Sequence, residues 1–264
     1  QGNTRVFDFV FLVEVDEGFA GEIIRRFTSY LPAKGAINFH DGPLPRHAGL
    51  NAPVWALIEG ETQHGVTWHM IEGGVDEGDI LVQRLFDITP SDTALTLNTK
   101  AYEAAMGSFP ELLDQLESGS LNRVKQDLSA RTYHALADRP LCHGALDWSK
   151  PAEQVARLVR ALDHGPYWNP LSAPKFRSET GLWLASGAVA TESYAAPGTV
   201  IGVGDDNLTV ACAGGAVTLT GLTRICGMPV DPAQIAKTGD RLPMPEAVDT
   251  SAVASKEGVM RKRL

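Results

Sequence analysis

The stretch from residue 35 to 49, GAINFHDGPLPRHAG, constrains the fold more than any other part of the chain. The apolar residues before Asn38 are typical of the end of a buried strand. Asn38 and His40 alternate with Phe39, so both polar side chains project from the same side of that strand. Two prolines follow and predict a tight, rigid turn. Ligands of open α/β sheets bind beyond the carboxyl ends of strands, so we expect Asn38 and His40 at a binding site.

A second glycine-rich segment, residues 73–81 (GGVDEGDIL), contains a candidate partner for these two side chains. Asp76 lies between glycines, which suits a carboxylate held near a site better than one on a solvated helix face. Each residue also has an ordinary interpretation when taken alone. Asn38 and Asp76 would then be turn residues, and His40 a packed histidine. The combination of both loops at this separation favours the functional interpretation.

Charge, hydropathy and cysteines exclude several classes of protein. The chain has 264 residues and a formal net charge of −9, which argues against a nucleic-acid-binding surface without excluding a local basic patch. It contains neither an apolar run long enough for a transmembrane helix nor a signal peptide at its start. Cys142, Cys212 and Cys226 are odd in number and widely spaced, so we expect reduced thiols in the cytoplasm rather than disulfides or a zinc site.

The first half of the chain alternates short apolar strands with amphipathic helices. Strands are predicted over residues 6–14, over a short segment that ends at Asn38, and over residues 63–71 and 80–88. Helices are predicted over residues 18–30, 53–60 and 94–117. This alternation predicts an α/β domain with a mainly parallel sheet.

The second half has a different pattern. A helix is predicted after Ser149, which we expect to cap it, with an apolar stripe that includes Val155 and Val159. Residues 182–226 then form closely spaced short strands separated by glycine turns. This spacing predicts a small antiparallel barrel.

Asn-x-His before the Leu-Pro turn, with the Gly-Val-Asp-x-Gly-Asp-Ile loop, resembles the folate-dependent formyltransferase family. The resemblance extends over roughly residues 6–226 and implies a Rossmann-like domain followed by an OB-like β-barrel. Only 37 residues precede Asn38, fewer than the family places there, so we expect the front half of the first domain to be missing. We predict a catalytic domain over residues 1–128, a linker over 129–145, the OB-like domain over 146–230 and an extension over 231–264.

The resemblance assigns catalysis to Asn38, His40 and Asp76, and their chemistry agrees with it. Formyl transfer to an amine develops negative charge on the formyl oxygen, which an amide N–H of Asn38 can stabilise. An imidazole such as that of His40 is suited to proton transfer near neutrality. Asp76 can orient that imidazole and stabilise its charged form.

The formyl donor implied by the resemblance is 10-formyltetrahydrofolate, and no metal is implied. The segment 14–17 (EVDE) carries three acids where the family has a neutral turn, which predicts a changed folate pocket. The remaining histidines, including His47, His64, His69 and His134, are interpreted as surface or packing residues. The residues expected against the folate are Leu12, Val13, Leu44, Pro45, Glu72, Gly73, Gly74 and Val75.

The acceptor is an expectation from a narrower resemblance. The segment 162–171 (LDHGPYWNPL) is most similar to formylation domains of nonribosomal peptide synthetases. It implies an aminoacyl group on a carrier protein as acceptor, with synthetase domains as neighbours. Methionyl-tRNA and sugar amines remain alternatives, although the negative charge disfavours tRNA. A formyl-donor hydrolase and a binding domain without catalysis also remain open.

Overall fold

The computed structural model describes residues 10–13 and 35–245 and divides into two compact units, residues 1–136 and 137–264. The predicted helix over residues 18–30 and the acidic segment 14–17 lie outside the described residues. The domain boundaries drawn from the sequence remain predictions.

The first unit contains a four-stranded sheet in the order β1-β2-β4-β5. Strand β1 (Val10–Val13) runs parallel to β2 (Ala36–His40), whereas β4 (Gln63–Met70) is antiparallel to both β2 and β5 (Ile80–Asp87). The prediction of a mainly parallel sheet is therefore wrong for the described strands. The connection 71–79 is shorter than the crossover of about a dozen residues that parallel strands need, so β4 and β5 pair as a hairpin.

Two helices of this unit begin and end near the residues that the sequence predicts. Helix α1 (Ala52–Glu59) has proline in its first turn and ends at Gly60, whose backbone is left-handed. Helix α2 (Ala94–Ser118) begins at Thr93, which forms a reciprocal capping box with Thr96. Among the described residues, no helix combines the length and apolarity needed to cross a bilayer.

The core of the first unit lies between the sheet and α2. The indole Nε1 of Trp68 donates to Ser108 Oγ at 3.0 Å, and Phe39 packs on the Trp68 ring with centroids 5.1 Å apart. These contacts fix the strand that carries the candidate site residues. The buried members of this core are Ile37, Phe39, Val66, Trp68, Met70, Leu81, Val82, Ala101, Ala105 and Leu112.

A small parallel pair completes the first unit. Strand β3 (Ala48–Gly49) follows the proline turn and pairs with β6 (Tyr133–His134). The chain after α2 therefore returns to the turn, and its residues 133 and 134 belong to a sheet, although they fall within the predicted linker.

Up to residue 245, where the described part ends, the second unit contains one α-helix and two antiparallel sheets. Helix α3 (Ala152–Ala161) has Pro151 at its N-cap, so the prediction of Ser149 there is wrong; Ser149 instead donates to the Asp147 carboxylate at 2.6 Å. Both sheets are antiparallel, in the orders β10-β11-β12-β9 and β13-β8-β7. Their strands are β7 (Lys175–Ser178), β8 (Gly181–Leu184), β9 (Gly187–Thr191), β10 (Val200–Val203), β11 (Leu208–Cys212), β12 (Gly215–Thr220) and β13 (Thr223–Arg224).

The predicted short strands are thus present, but their hydrogen bonding forms two separate sheets in the described residues. A closed barrel remains a prediction. The apolar stripe of α3 is confirmed, since Val155 and Val159 are buried in one core with Trp148 and Phe176.

Candidate functional site

The proline turn after β2 is held by hydrogen bonds from two neighbouring strands. Thr67 Oγ1 donates to the Gly42 carbonyl at 2.7 Å and accepts from the Leu44 N–H at 3.1 Å. Gln83 Nε2 donates to the Leu44 carbonyl at 2.8 Å. The turn predicted from the prolines is therefore ordered by buried polar partners as well as by proline itself.

The His40 imidazole is oriented by the backbone of this turn. Its side chain is 5% exposed, and Nε2 lies 2.8 Å from the His47 carbonyl oxygen. A carbonyl only accepts, so Nε2 carries a hydrogen. Nδ1 faces two carboxylates, 3.6 Å from Asp76 Oδ2 and 4.0 Å from Asp41 Oδ1. The second ring nitrogen, Nδ1, therefore lies on the side of the two carboxylates.

Asp76 reaches this imidazole from the second loop through a left-handed backbone, with φ of 55°. Its Oδ2 accepts from the Gly49 N–H at 2.8 Å, and its Oδ1 lies 3.4 Å from His69 Nε2. Burial raises the pKa of Asp76, but the His69 hydrogen bond, the neighbouring His40 charge and the Gly49 amide outweigh burial and lower it to about 2. The carboxylate is therefore charged at neutral pH.

The loop that carries Asp76 is fastened by the chain after α2. Gln126 Nε2 donates to the carbonyl oxygens of Asp76 at 2.8 Å and Gly78 at 2.6 Å. Arg131 Nη2 donates to the Val75 carbonyl at 2.9 Å. The position of the carboxylate thus depends on side chains roughly 50 residues away in sequence.

His69 belongs to the same cluster, and the sequence interpretation of this residue as packing alone is incomplete. It pairs with Asn38 across β4 and β2 and is 2% exposed. Its Nδ1 donates to the Met70 carbonyl at 2.9 Å, and its Nε2 lies 3.2 Å from Asn38 Nδ2. The cross-strand register with Asn38 is the signal that identifies it, and one sequence does not reveal that register.

The Asn38 amide is half-buried, and within the described part of the chain its buried Oδ1 has no hydrogen-bond partner. Oxygen and nitrogen of an amide have nearly the same shape, so half a turn exchanges them. In the exchanged orientation Oδ1 faces His69 Nε2, and the amide N–H groups point to the position now held by Oδ1. The unsatisfied oxygen therefore marks where a ligand polar group would meet Asn38.

The residues predicted against the folate fall into different surroundings. Leu12 and Val13 on β1 pair with Asn38 and Phe39, so their backbone runs beside the cluster. The four residues 72–75 form an exposed loop leading to Asp76.

The other two predicted residues lie in the turn. Pro45 is half-buried, while Leu44 is 2% exposed and uses its backbone N–H and carbonyl within the protein. Leu44 therefore supports the turn, and its contact with folate remains a prediction.

Two glycines allow the turn to approach its surroundings closely. A Cβ at Gly42 would lie 2.6 Å from His40 Nε2 and 3.0 Å from the Ala52 Cβ. Gly49 has φ of 92°, and a Cβ there would lie 2.2 Å from the His134 carbonyl oxygen. A larger residue at either position would displace the imidazole or the amide that binds Asp76.

Two family models match the chain. The formyl transferase model matches residues 20–113, and the model of the formyl transferase C-terminal domain matches residues 142–239. The chain belongs to the folate-dependent formyltransferase family. The family resemblance inferred from the two loops is thereby confirmed.

Curated relatives of this chain include methionyl-tRNA formyltransferases. That of Geobacter metallireducens is 32% identical over 75% of this chain and 61% of that protein. That of Burkholderia mallei is 37% identical over 74% of this chain and 58% of that protein. The chain thus spans about three fifths of the length of these relatives.

Solved structures share the fold at lower identity. The N-formyltransferase from Helicobacter canadensis, in complex with folinic acid and dTDP-3-aminofucose, is 19% identical with a TM-score of 0.59 over 71% of this chain and 66% of that chain. The sugar 3N-formyl transferase WlaRD, with dTDP and 5-N-formyl-THF, is 20% identical with a TM-score of 0.62 over 80% and 71%. HypX from Aquifex aeolicus, in complex with tetrahydrofolic acid, is 21% identical with a TM-score of 0.61 over 81% and 35%.

Proposed function

We propose that this protein transfers a formyl group from 10-formyltetrahydrofolate to a primary amine. The observation that carries the proposal is the convergence of Asn38 and His40, at the end of strand β2, with Asp76 from the loop between β4 and β5. Asp76 lies 3.6 Å from the His40 imidazole, and His69 lies within 3.4 Å of both Asn38 and Asp76. An amide, an imidazole and a charged carboxylate in this arrangement are the groups that acyl transfer to an amine requires.

The roles of the three residues follow from the atoms they present. The folate supplies the formyl carbon that the amine nitrogen attacks. Asn38 donates an amide N–H to the formyl oxygen as negative charge develops there. His40 takes the amine proton at Nδ1, and Asp76 stabilises the imidazolium. As the new C–N bond forms and the bond from carbon to the folate N10 breaks, His40 returns that proton to N10.

The surroundings of the site suit a folate in two respects. Among the described residues the buried Oδ1 of Asn38 has no hydrogen-bond partner, which a polar group of the folate would supply. The exposed loop 72–75 leads directly to Asp76 and offers backbone groups beside it. Both features support a donor that lies between the β1–β2 edge and this loop.

For the acceptor we propose the amine of methionyl-tRNA first and a sugar amine second. Relatives at 32% and 37% identity are methionyl-tRNA formyltransferases, which supports the first. The structure from Helicobacter canadensis contains an amino sugar nucleotide, which supports the second. The carrier-protein acceptor expected from residues 162–171 gains no support from these relatives. The net charge of −9 weighs against tRNA, so the assay must include both candidates.

The test is a comparison of acceptors with one donor. The 264-residue chain is incubated with 10-formyltetrahydrofolate and, separately, methionyl-tRNA, dTDP-amino sugar or an aminoacyl carrier protein. Mass spectrometry of the products then measures amide formation, and a coupled assay measures formate release. We expect formylated methionyl-tRNA or formylated sugar, with tetrahydrofolate formed in equal amount.

Other outcomes identify the alternatives. Formate release at the same rate with and without acceptor indicates a formyl-donor hydrolase and contradicts the proposal. Folate binding without turnover of any acceptor indicates a binding domain and also contradicts it. Product with the carrier protein alone keeps formyl transfer but overturns both proposed acceptors.

A further inference from the structure

Behind the proline turn lies a second cluster of histidines and acids that the formyl-transfer chemistry does not use. One potential ligand atom each of His47, Glu59 and His134 lies within 4.8 Å of the other two. We propose that these three side chains bind a divalent transition metal ion of the Zn²⁺ class, which stabilises the turn that orients His40.

The unsatisfied imidazole of His47 supports a metal ion at this position. This side chain is 1% exposed, and neither ring nitrogen has a hydrogen-bond partner among the residues that the structure describes. A buried polar group without partners is costly, and native structures rarely keep one without a reason. A metal ion would satisfy a ring nitrogen by using its lone pair.

The candidate ligands also have the chemical types and the spacing that a Zn²⁺ ion requires. Two imidazoles and one carboxylate form a common donor set for Zn²⁺, with a fourth position left for water. His134 Nε2 lies 3.4 Å from Glu59 Oε1, about the separation of two ligands on a tetrahedral ion with bonds of about 2.0–2.1 Å. Glu59 is exposed and ends α1, so its side chain is able to close on an ion that enters from solvent.

Charge in the neighbourhood also favours a cation. Glu61 Oε1 lies 3.9 Å from His47 Nε2, although Arg46 also pairs with that carboxylate. The ordinary alternative is aromatic packing, because His134 stacks on Trp55 with centroids 4.5 Å apart. Packing explains that ring, but it leaves the His47 nitrogens unsatisfied.

The cluster is connected to the candidate active site through the backbone. The His47 carbonyl accepts from His40 Nε2 at 2.8 Å, and the His47 N–H donates to Thr132 Oγ1 at 2.7 Å. His134 belongs to β6, which pairs with β3 next to Gly49, the donor to Asp76. An ion that joins His47 to His134 would therefore link the two strands that hold the His40 and Asp76 contacts.

The test measures metal binding directly on the untagged, metal-free 264-residue chain. Zn²⁺ is titrated by calorimetry, Tm is recorded with and without Zn²⁺, and Co²⁺ is added for visible spectroscopy. We expect one bound equivalent, a rise in Tm, and a four-coordinate Co²⁺ spectrum without a thiolate charge-transfer band.

Variants assign the ion to its ligands. Glu59→Gln changes an exposed side chain and so preserves folding, and His134→Gln removes one imidazole. We expect each to weaken the Zn²⁺ Kd about tenfold or more. Glu103→Gln, on the exposed face of α2, and His164→Gln, in the second unit, are matched controls that should keep the wild-type Kd.

Three results would overturn the proposal. One is the absence of Zn²⁺ binding to the wild-type chain. Another is the wild-type Kd in both Glu59→Gln and His134→Gln. The third is a thiolate charge-transfer band, which would assign the ion to a cysteine such as the exposed Cys226.

Discussion

The interiors of the two units differ in what they bury. Among the described residues, every buried polar or charged side chain lies in the first unit, and four of the seven are histidines. The core of the second unit consists of apolar residues around Trp148 and Phe176. The seven buried polar side chains are His40, His47, His64, Thr67, His69, Asp92 and Ser108.

The buried polar groups of the first unit are suited to chemistry, whereas the buried residues of the second unit contribute packing. Burying a polar group is unfavourable unless it is hydrogen-bonded, so the first unit keeps these groups by bonding most of them around its turn. The second unit buries apolar area, which contributes stability without directional bonds. Substitutions in the first interior should therefore change activity or its pH dependence, and substitutions in the second should change stability.

The largest expected effect is loss of turnover in His40→Ala. Removal of a general base lowers kcat by about 10²–10⁴-fold, and we expect that loss in the acceptor assay with KM nearly unchanged. The free energy of unfolding should change far less, which a urea titration measures. The control is His143→Ala, a histidine of the second unit, which should keep wild-type kcat. A His40→Ala variant with wild-type kcat would contradict the claim that substitutions in the interior of the first unit change activity.

The second effect concerns the apolar interior. Trp148 is 0% exposed and packs edge-on against Phe176 with centroids 5.9 Å apart. Trp148→Ala should lower the free energy of unfolding by about 3–5 kcal/mol. The matched control is Trp168→Ala, because Trp168 is 82% exposed, and it should cost less than about 0.5 kcal/mol. Chemical denaturation of the two variants measures the difference, and equal losses would contradict the assignment of Trp148 to the core.

The smallest effect, counted per pH unit, is a pH dependence of the free energy of unfolding that arises from the first unit. Burial, followed by the charges of His64 and His134, lowers the pKa of His47 to about 3, and burial lowers the pKa of His64 to about 4. The unfolded chain therefore takes up protons from about pH 6.5 downward while the folded chain does not. The free energy of unfolding should fall between about pH 6.5 and 4, by about 1.4 kcal/mol per pH unit for each histidine.

Urea titrations at several pH values measure this slope. His64→Phe should halve it, because only His47 then contributes. Asp76 acts in a lower window, since its pKa is lowered to about 2; its contribution is present above about pH 4 and is lost between about pH 4 and 2. A slope unchanged by His64→Phe would contradict the neutral, buried state of that residue.

The parts of the fold that depend on neighbouring residues were predictable from the sequence. Gly60 and Gly119 end helices with left-handed backbones, and Thr93 begins one with its side chain, all within a few residues of the chain. Strand pairing was not predictable, because the antiparallel partnership of β4 with β2 and β5 depends on residues distant in sequence.

The site shows the same division. Asn38, His40 and Asp76 were proposed from motif and family resemblance, and the structure brings them together. His47 and His69 were interpreted as packing, because a histidine with a buried functional contact has the same sequence signature as one without. The hydrogen bond from His40 to the His47 carbonyl is a tertiary contact, so it was also not predictable from the sequence.

Gly42 and Gly49 leave no volume on the inner side of the turn, because a methyl group at either would overlap His40 or the His134 carbonyl. Enlarging residues inside this bend to change the proposed acceptor would therefore displace His40, the proposed general base. In the exposed segment 72–75, Gly73 has φ of 74° and a Cβ at Gly74 would lie 2.8 Å from the Glu77 carboxylate, whereas Glu72 and Val75 already carry exposed side chains. Laboratory evolution toward other amines should accordingly accumulate substitutions at Glu72 and Val75 and leave Gly42 and Gly49 untouched.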